Sequence, residues 1–190
     1  MLRLDCLRSV YSELENGLVV TIMGAVASEL YVLGHRHNFF YLKHAMGLAS
    51  SMGLGIALVM PEHKVIVLDG DGSLLMNLGS LSTMARYKPA NLLHIVFDNE
   101  SLLSVGGFPT ATSTGTDLEG IAHAAGVPRV ATVRDVESFK AAVIDAVHGN
   151  ELTTIIAKVE AKGPGAYVTD LTLLENRFQF HRHIQSLKRG

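Results

Sequence analysis

A carboxylate held between two glycines, directly after an apolar β-branched run, is the arrangement in this sequence with the most chemistry in it. Val65-Ile66-Val67-Leu68 leads into Asp69-Gly70-Asp71-Gly72-Ser73, and a helical pattern follows. A glycine-bearing strand-to-helix turn lets backbone N–H groups approach an anion, and a helix N-terminus adds a favourable dipole. Asp71 contradicts that use unless a divalent cation stands between its carboxylate and the anion. Mg²⁺ does this, taking one or two protein oxygens together with phosphate oxygens and water. The next apolar run, Leu92–Phe97, ends in Asp98-Asn99, with residues 73–98 separating the turn from Asn99. The Asn99 amide oxygen then falls beside Asp71 at one edge of a sheet, where a nearby main-chain carbonyl can complete the metal's ligands. Alone, the Gly70-Asp71-Gly72 turn fits an ordinary tight turn with a helix-capping aspartate equally well. Asn99 at the end of the next strand favours the metal–phosphate reading.

Those residues need a sheet to hold them. Strands are expected at Leu18–Met23, Lys64–Leu68, Leu92–Phe97, Arg129–Val133 and Thr153–Val159. Helices are expected at Val26–Leu33, Leu48–Met60, Leu74–Arg86, Asp117–Ala125, Val136–His148 and Thr172–Leu187. Alternation of the two without hairpin signals predicts an α/β fold, three layers α/β/α around a mainly parallel sheet. Pro61 and Pro89 end helices, and Asp117 and Asp135 stand where N-caps belong. Ser104–Gly115, rich in Gly, Ser and Thr, reads as a long loop after a strand, where α/β folds place function. No repeat or linker divides residues 1–190, so one domain is expected.

Composition narrows the function classes. Apolar residues make up 48% and charged residues 18% of 190, with a mean hydropathy of +0.27. Either both sheet faces are covered, or part of the surface is buried against another chain. A net charge of −2 offers no electrostatic case for nucleic acid or an anionic membrane. Cys6 is the sole cysteine, which excludes an internal disulfide, an Fe–S cluster and a Cys-rich zinc site. Arg3, Asp5 and Arg8 interrupt any signal-peptide pattern, and Ala45–Met60 is too short and too rich in Gly and Ser to span a bilayer. A cytoplasmic location is the expectation. Gly53-Leu54-Gly55 lies inside a helical run, so it fails as a nicotinamide-binding fingerprint, and no Walker sequence occurs.

The Gly70-Asp71-Gly72…Asn99 spacing resembles the metal–diphosphate signature of thiamine diphosphate-dependent enzymes. The resemblance runs over residues 15–180 and is strong toward sulfopyruvate and phosphonopyruvate decarboxylases, in their diphosphate-binding domain. It rests on Leu68-Asp69-Gly70-Asp71-Gly72-Ser73-Leu74-Leu75-Met76-Asn77-Leu78-Gly79, on Ser104-Val105-Gly106-Gly107 and on Pro109-Thr110-Ala111-Thr112. A short separate chain of this kind is similar to the β subunits of sulfopyruvate decarboxylase. The resemblance implies thiamine diphosphate and Mg²⁺ as cofactors, with the metal on the Asp71 and Asn99 side chains and the Ser101 carbonyl. It places Gly70, Gly72 and Ser73 at the diphosphate and Gly24 in a loop closing over it. Met46 matches the apolar wedge that bends the cofactor, although plain core packing would also suit it. The His44 carbonyl would accept from the cofactor's 4′-amino group, Ala45 lies between these two, and Leu103 falls near the reactive end.

The same resemblance implies something missing. In the family a glutamate from a separate pyrimidine-binding domain activates the cofactor, and this chain matches only the other domain. A partner chain, in a hetero-oligomer or a homo-oligomer, is therefore expected to complete the site for a small 2-oxoacid. Glu29, Glu100 and Glu119 read as structural residues. Relatives often carry Tyr and Gln where Leu103 and Phe108 stand, which leaves open sulfopyruvate, phosphonopyruvate or a non-catalytic cofactor-binding subunit. His35, His37 and His44 precede Met46 and fit either an anion site or a solvated loop; His181 and His183 lie in a basic amphipathic tail.

Overall fold

A run such as Val65-Ile66-Val67-Leu68 is apolar on both faces, so it is stable only in a sheet covered on both sides. The structure, a computed structural model that describes residues 1–165 and 169–189, places it there. In chain order, α1 (Arg3–Ser9), β1 (Leu18–Thr21), α2 (Ala25–Leu33), β2 (Phe39–Tyr41), α3 (Ala49–Val59) and β3 (Val65–Gly70) come first. Then follow α4 (Asp71–Leu75), α5 (Gly79–Tyr87), β4 (Leu92–Asp98), β5 (Ser101–Leu102) and β6 (Phe108–Pro109). The remainder is α6 (Leu118–Ala125), β7 (Arg129–Val133), α7 (Val136–His148), β8 (Thr153–Lys158) and α8 (Leu173–Leu187).

The main sheet has the order β2-β1-β3-β4-β8-β7, and every neighbouring pair is parallel. Helix α1 packs with α2 and α7, whereas α3 packs with α5 and α5 with α6, which gives the three layers. Every residue of the central strand β4 is buried. Because β1 leads into α2 in one layer and β3 into α4 and α5 in the other, a crevice opens between their carboxyl ends. Gly24 and Gly70-Asp71-Gly72 stand at that crevice.

Four local features differ from the sequence reading. Arg3–Ser9 forms a helix despite its charges, because Cys6 and Leu7 on one side are buried. Phe39–Tyr41 adds an edge strand beside β1. The single helix expected over Leu74–Arg86 is two, α4 and α5, separated by a turn in which the Asn77 side chain donates to the Gly47 carbonyl at 2.8 Å. Ser104–Gly115 is not a plain loop. Its start folds back through β6 onto β5, with Ser101 opposite Pro109 and Leu102 opposite Phe108. Gly106 and Gly107, at φ +106° and +74°, make that reversal, and a 3-10 turn over Ala111–Thr114 follows. Asp135 caps α7 through the Ser138 N–H at 2.8 Å, while Asp117 precedes α6 without such a bond. No helix among the described residues is long and apolar enough to cross a membrane.

Close packing of α3 on the sheet depends on Gly53. A Cβ there would lie 2.1 Å from Val67 Cγ2, inside β3. Gly53→Ala is expected to lower stability by about 1–3 kcal/mol through overpacking, read as a reduced midpoint in denaturant unfolding. An unchanged midpoint would mean that α3 does not press on β3 as described.

Candidate metal centre

Strand β3 delivers Asp71 to the crevice at its first step beyond the sheet. Neighbouring Asp69 turns inward: its Oδ1 accepts the Gly70 N–H at 2.9 Å and its Oδ2 lies 3.3 Å from His94 Nε2, both side chains buried. Asp71 is also buried, at 3% exposure, yet it lies at the cleft. Its two glycines serve different ends. A Cβ on Gly72 would stand 2.4 Å from Leu102 Cδ2, so the β5–β6 ribbon can pack against the turn only because this residue is glycine. A Cβ on Gly70 would meet nothing nearer than the Phe97 carbonyl oxygen at 4.0 Å, which leaves open space at the backbone for an anion.

The ribbon returns two hydroxyls to the carboxylate. Thr110 donates to Asp71 Oδ2 at 2.6 Å, and the Thr112 hydroxyl lies 3.3 Å from the same oxygen. Thr112 also donates to Asp98 Oδ1 at 2.8 Å, and Lys158 Nζ sits 2.6 Å from Asp98 Oδ2 and 3.1 Å from Glu100. Burial pushes the Asp71 carboxyl above its ordinary value; the Thr110 bond opposes that shift and the nearby Asp98 charge adds to it. Burial draws Lys158 down, but its bonds to Asp98 and Glu100 outweigh this and hold it above the usual lysine value.

Asn99 follows β4 directly. Its Oδ1 accepts the Ser101 N–H at 3.1 Å, and Glu100 between them takes a left-handed φ of +59°. This tight turn brings Asn99 and Ser101 into one cleft with Met46, Gly70, Asp71, Gly72, Ser73 and Leu103. The Ser73 hydroxyl accepts the Gly47 N–H at 3.1 Å, tying the Met46 loop to the start of α4. The cleft is small, about 80 Å³, against roughly 300 Å³ or more for a pocket that engulfs a drug-sized ligand. Gly24 and His44 lie outside it, in an adjoining cavity of about 520 Å³ that also holds Lys43 and shares Met23 and Ser104 with the cleft. Ala45 lines neither. The histidines that sequence grouped divide: His35 hydrogen-bonds Gln179 of α8 at 2.7 Å with the His37 ring tilted 6.2 Å away, and only His44 reaches the cavity.

The donor set suits a hard divalent cation. A carboxylate oxygen, an amide oxygen and a main-chain carbonyl are oxygen ligands of the kind Mg²⁺ takes, with the rest drawn from phosphate and water. No group of three His, Cys, Asp or Glu suited to a metal occurs among the described residues.

Residues 23–157 match the family model described as "Thiamine pyrophosphate enzyme, C-terminal TPP binding domain", thiamine pyrophosphate being thiamine diphosphate. The chain belongs to this family. It is 40% identical to the sulfopyruvate decarboxylase subunit beta of Methanocaldococcus jannaschii over 157 residues, 82% of each chain. It is also 40% identical to a phosphonopyruvate decarboxylase of Streptomyces viridochromogenes over 146 residues, 76% of this chain but only 36% of that one. The chain thus spans about a third of that longer relative. The X-ray structure of a protein from Mycobacterium smegmatis described as thiamin diphosphate-dependent superposes over 85% of this chain with a TM-score of 0.69 at 21% identity, sharing the fold.

As a thiamine diphosphate-binding domain, the chain brings no glutamate into the cleft among the described residues. Glu29 is buried in a two-point pair with Arg3, at 2.8 and 3.0 Å. Glu100 faces Lys158, and Glu119 lies in the first turn of α6. Thr110, Thr112 and Lys158 are the site residues that sequence reasoning passed over. The Pro109-Thr110-Ala111-Thr112 run was visible as text, but nothing in it signals a fold-back onto Asp71.

Because its pKa is raised on folding, Asp71 in the metal-free protein opposes folding once ionised. Its contribution is most favourable below the unfolded value near 3.8 and is lost as pH rises through the folded value. Asp71→Asn is therefore expected to raise the thermal midpoint of the metal-free protein at neutral pH, by an amount that shrinks toward acid pH. A midpoint that falls at neutral pH would show that the carboxylate is not a net cost.

Proposed function

We propose that this chain supplies the diphosphate-binding half of a thiamine diphosphate- and Mg²⁺-dependent 2-oxoacid decarboxylase, with sulfopyruvate as substrate. On this reading residues 1–190 are a single diphosphate-binding domain acting in the cytoplasm. A pyrimidine-binding chain, in a hetero-oligomer, supplies the rest of the active site. The observation that carries the reading is the cleft itself. It gathers Asp71, Asn99 and Ser101 beside open backbone at Gly70, and no glutamate of the described residues lines it or the adjoining cavity of Gly24 and His44. The relative from Methanocaldococcus jannaschii, named as a subunit, and the longer phosphonopyruvate decarboxylase both support a site completed by further polypeptide.

When bound, thiamine diphosphate supplies the electron sink for loss of CO₂ from a 2-oxoacid. Asp71, Asn99 and the Ser101 carbonyl would hold Mg²⁺, whose charge would offset the repulsion between Asp71 and a diphosphate. The Gly70 and Gly72 backbone and the Ser73 hydroxyl complete the diphosphate contacts. Met46 would be the apolar support under the cofactor, the Gly24 loop would close over the diphosphate, and the His44 carbonyl, with Ala45 between it and Met46, would accept from the 4′-amino group. Leu103 contributes apolar surface that excludes water near the reacting carbon. Phosphonopyruvate is the second reading of the substrate, favoured by the relative from Streptomyces viridochromogenes.

Two outcomes test the proposal. The purified chain alone is expected to release no CO₂ from sulfopyruvate, phosphonopyruvate or pyruvate, and its complex with a co-purified partner to turn over sulfopyruvate fastest. Robust turnover by the chain alone would refute the split site, and preference for phosphonopyruvate would move the substrate to the second reading. Separately, Asp71→Ala is expected to abolish Mg²⁺-dependent thiamine diphosphate binding by that complex in calorimetry; wild-type affinity would remove Asp71 from the metal.

A further inference from the structure

The β5–β6 ribbon does more than close over the Gly70-Asp71-Gly72 turn. Thr110 and Thr112 are both buried, 7% and 6% exposed, and both address the same oxygen of Asp71. A carboxylate whose Oδ2 receives a 2.6 Å hydroxyl bond is held against rotation, and Oδ1 is the oxygen left for a metal. To bind through both oxygens, Asp71 would have to turn and weaken that bond, leaving the Thr110 hydroxyl to the Thr112 hydroxyl 2.8 Å away. Glu100, facing Lys158, is the outer carboxylate of the same hydrogen-bonded chain, and Asp98 is the inner one. It is kept from the metal as well, since Thr112 occupies its Oδ1 and Lys158 its Oδ2. The side chains therefore offer a metal one carboxylate, through one oxygen.

That count discriminates between hard cations. Mg²⁺ requires a near-ideal octahedron at short distance and takes carboxylates through single oxygens, keeping waters in the remaining places. Ca²⁺ takes more oxygens at longer distance and commonly uses both oxygens of a carboxylate. Resting on the function proposed above, we infer that Thr110 and Thr112, backed by Asp98 and Lys158, are positioning residues that hold Asp71 as a one-oxygen ligand and so set the site's preference for Mg²⁺ over Ca²⁺.

The test uses the co-purified complex and compares thiamine diphosphate affinity by calorimetry at saturating Mg²⁺ and at saturating Ca²⁺. The wild type is expected to bind more tightly with Mg²⁺. Thr110→Val with Thr112→Val is expected to reduce that Mg²⁺:Ca²⁺ affinity ratio by about tenfold, while Thr110→Ser with Thr112→Ser, which keeps both hydroxyls, preserves it. An unchanged ratio in a valine variant with wild-type circular dichroism overturns the inference, as does an equal loss in the serine variant. If the double valine variant does not fold, Thr110→Val alone is judged by the same ratio. A wild type that binds the cofactor with neither metal would instead overturn the proposed function, so the two failures are distinct.

Discussion

Burying a carboxylate at the carboxyl edge of a parallel sheet is the constraint around which this molecule is organised. Asp71 leaves β3 with almost no exposure, and neither an arginine nor a lysine pairs with it directly. An ionised group in that position is costly unless hydroxyls and a cation compensate it. The Thr110 and Thr112 hydroxyls supply part of the compensation, and Asp98, itself paired with Lys158, stands behind them. The remainder must come from what binds. A site that opposes folding when empty and is relieved when loaded couples cofactor binding to stability.

The rest of the fold serves to fix that one group. β3 and β4 are buried throughout their apolar lengths and cannot slip without exposing a row of Val, Ile and Leu. Their register, with Gly70 opposite Phe97, sets the end of one strand beside the end of the other, so Asp71 and Asn99 emerge together. The layer change between β1 and β3 opens the crevice, and glycine at position 72 lets the β5–β6 ribbon pack onto the turn. Rigid strands lead directly to Asp71 and Asn99, while a short ribbon brings Thr110 to bond Asp71.

The proposed split site accounts for apolar side chains left exposed near the cleft. Leu48 before α3, Met76 in the turn between α4 and α5, and Phe108 in the ribbon are exposed. On that proposal the cleft would face a second chain, and the buried centre of such a contact is depleted of charged residues.

Much of this was legible before any coordinates. Alternating apolar runs and helical patterns determined the layered parallel sheet, because burial on both faces demands near-continuous Val, Ile and Leu in its strands. That Asp71 and Asn99 come together was readable because each stands one step past a strand, where strand geometry alone dictates position. The ribbon was not legible: Phe108-Pro109 carries no strand signal, and two glycines in a polar stretch read as loop. Nor could sequence spacing show that Thr110 and Thr112 approach a carboxylate 39 and 41 residues earlier, or that His35 bonds Gln179 of α8 instead of lining the cavity of His44. Local pattern decides which residues form strands and turns, since it reports backbone preference and burial. Only the tertiary structure decides which hydroxyl meets which oxygen, since that depends on how distant segments pack.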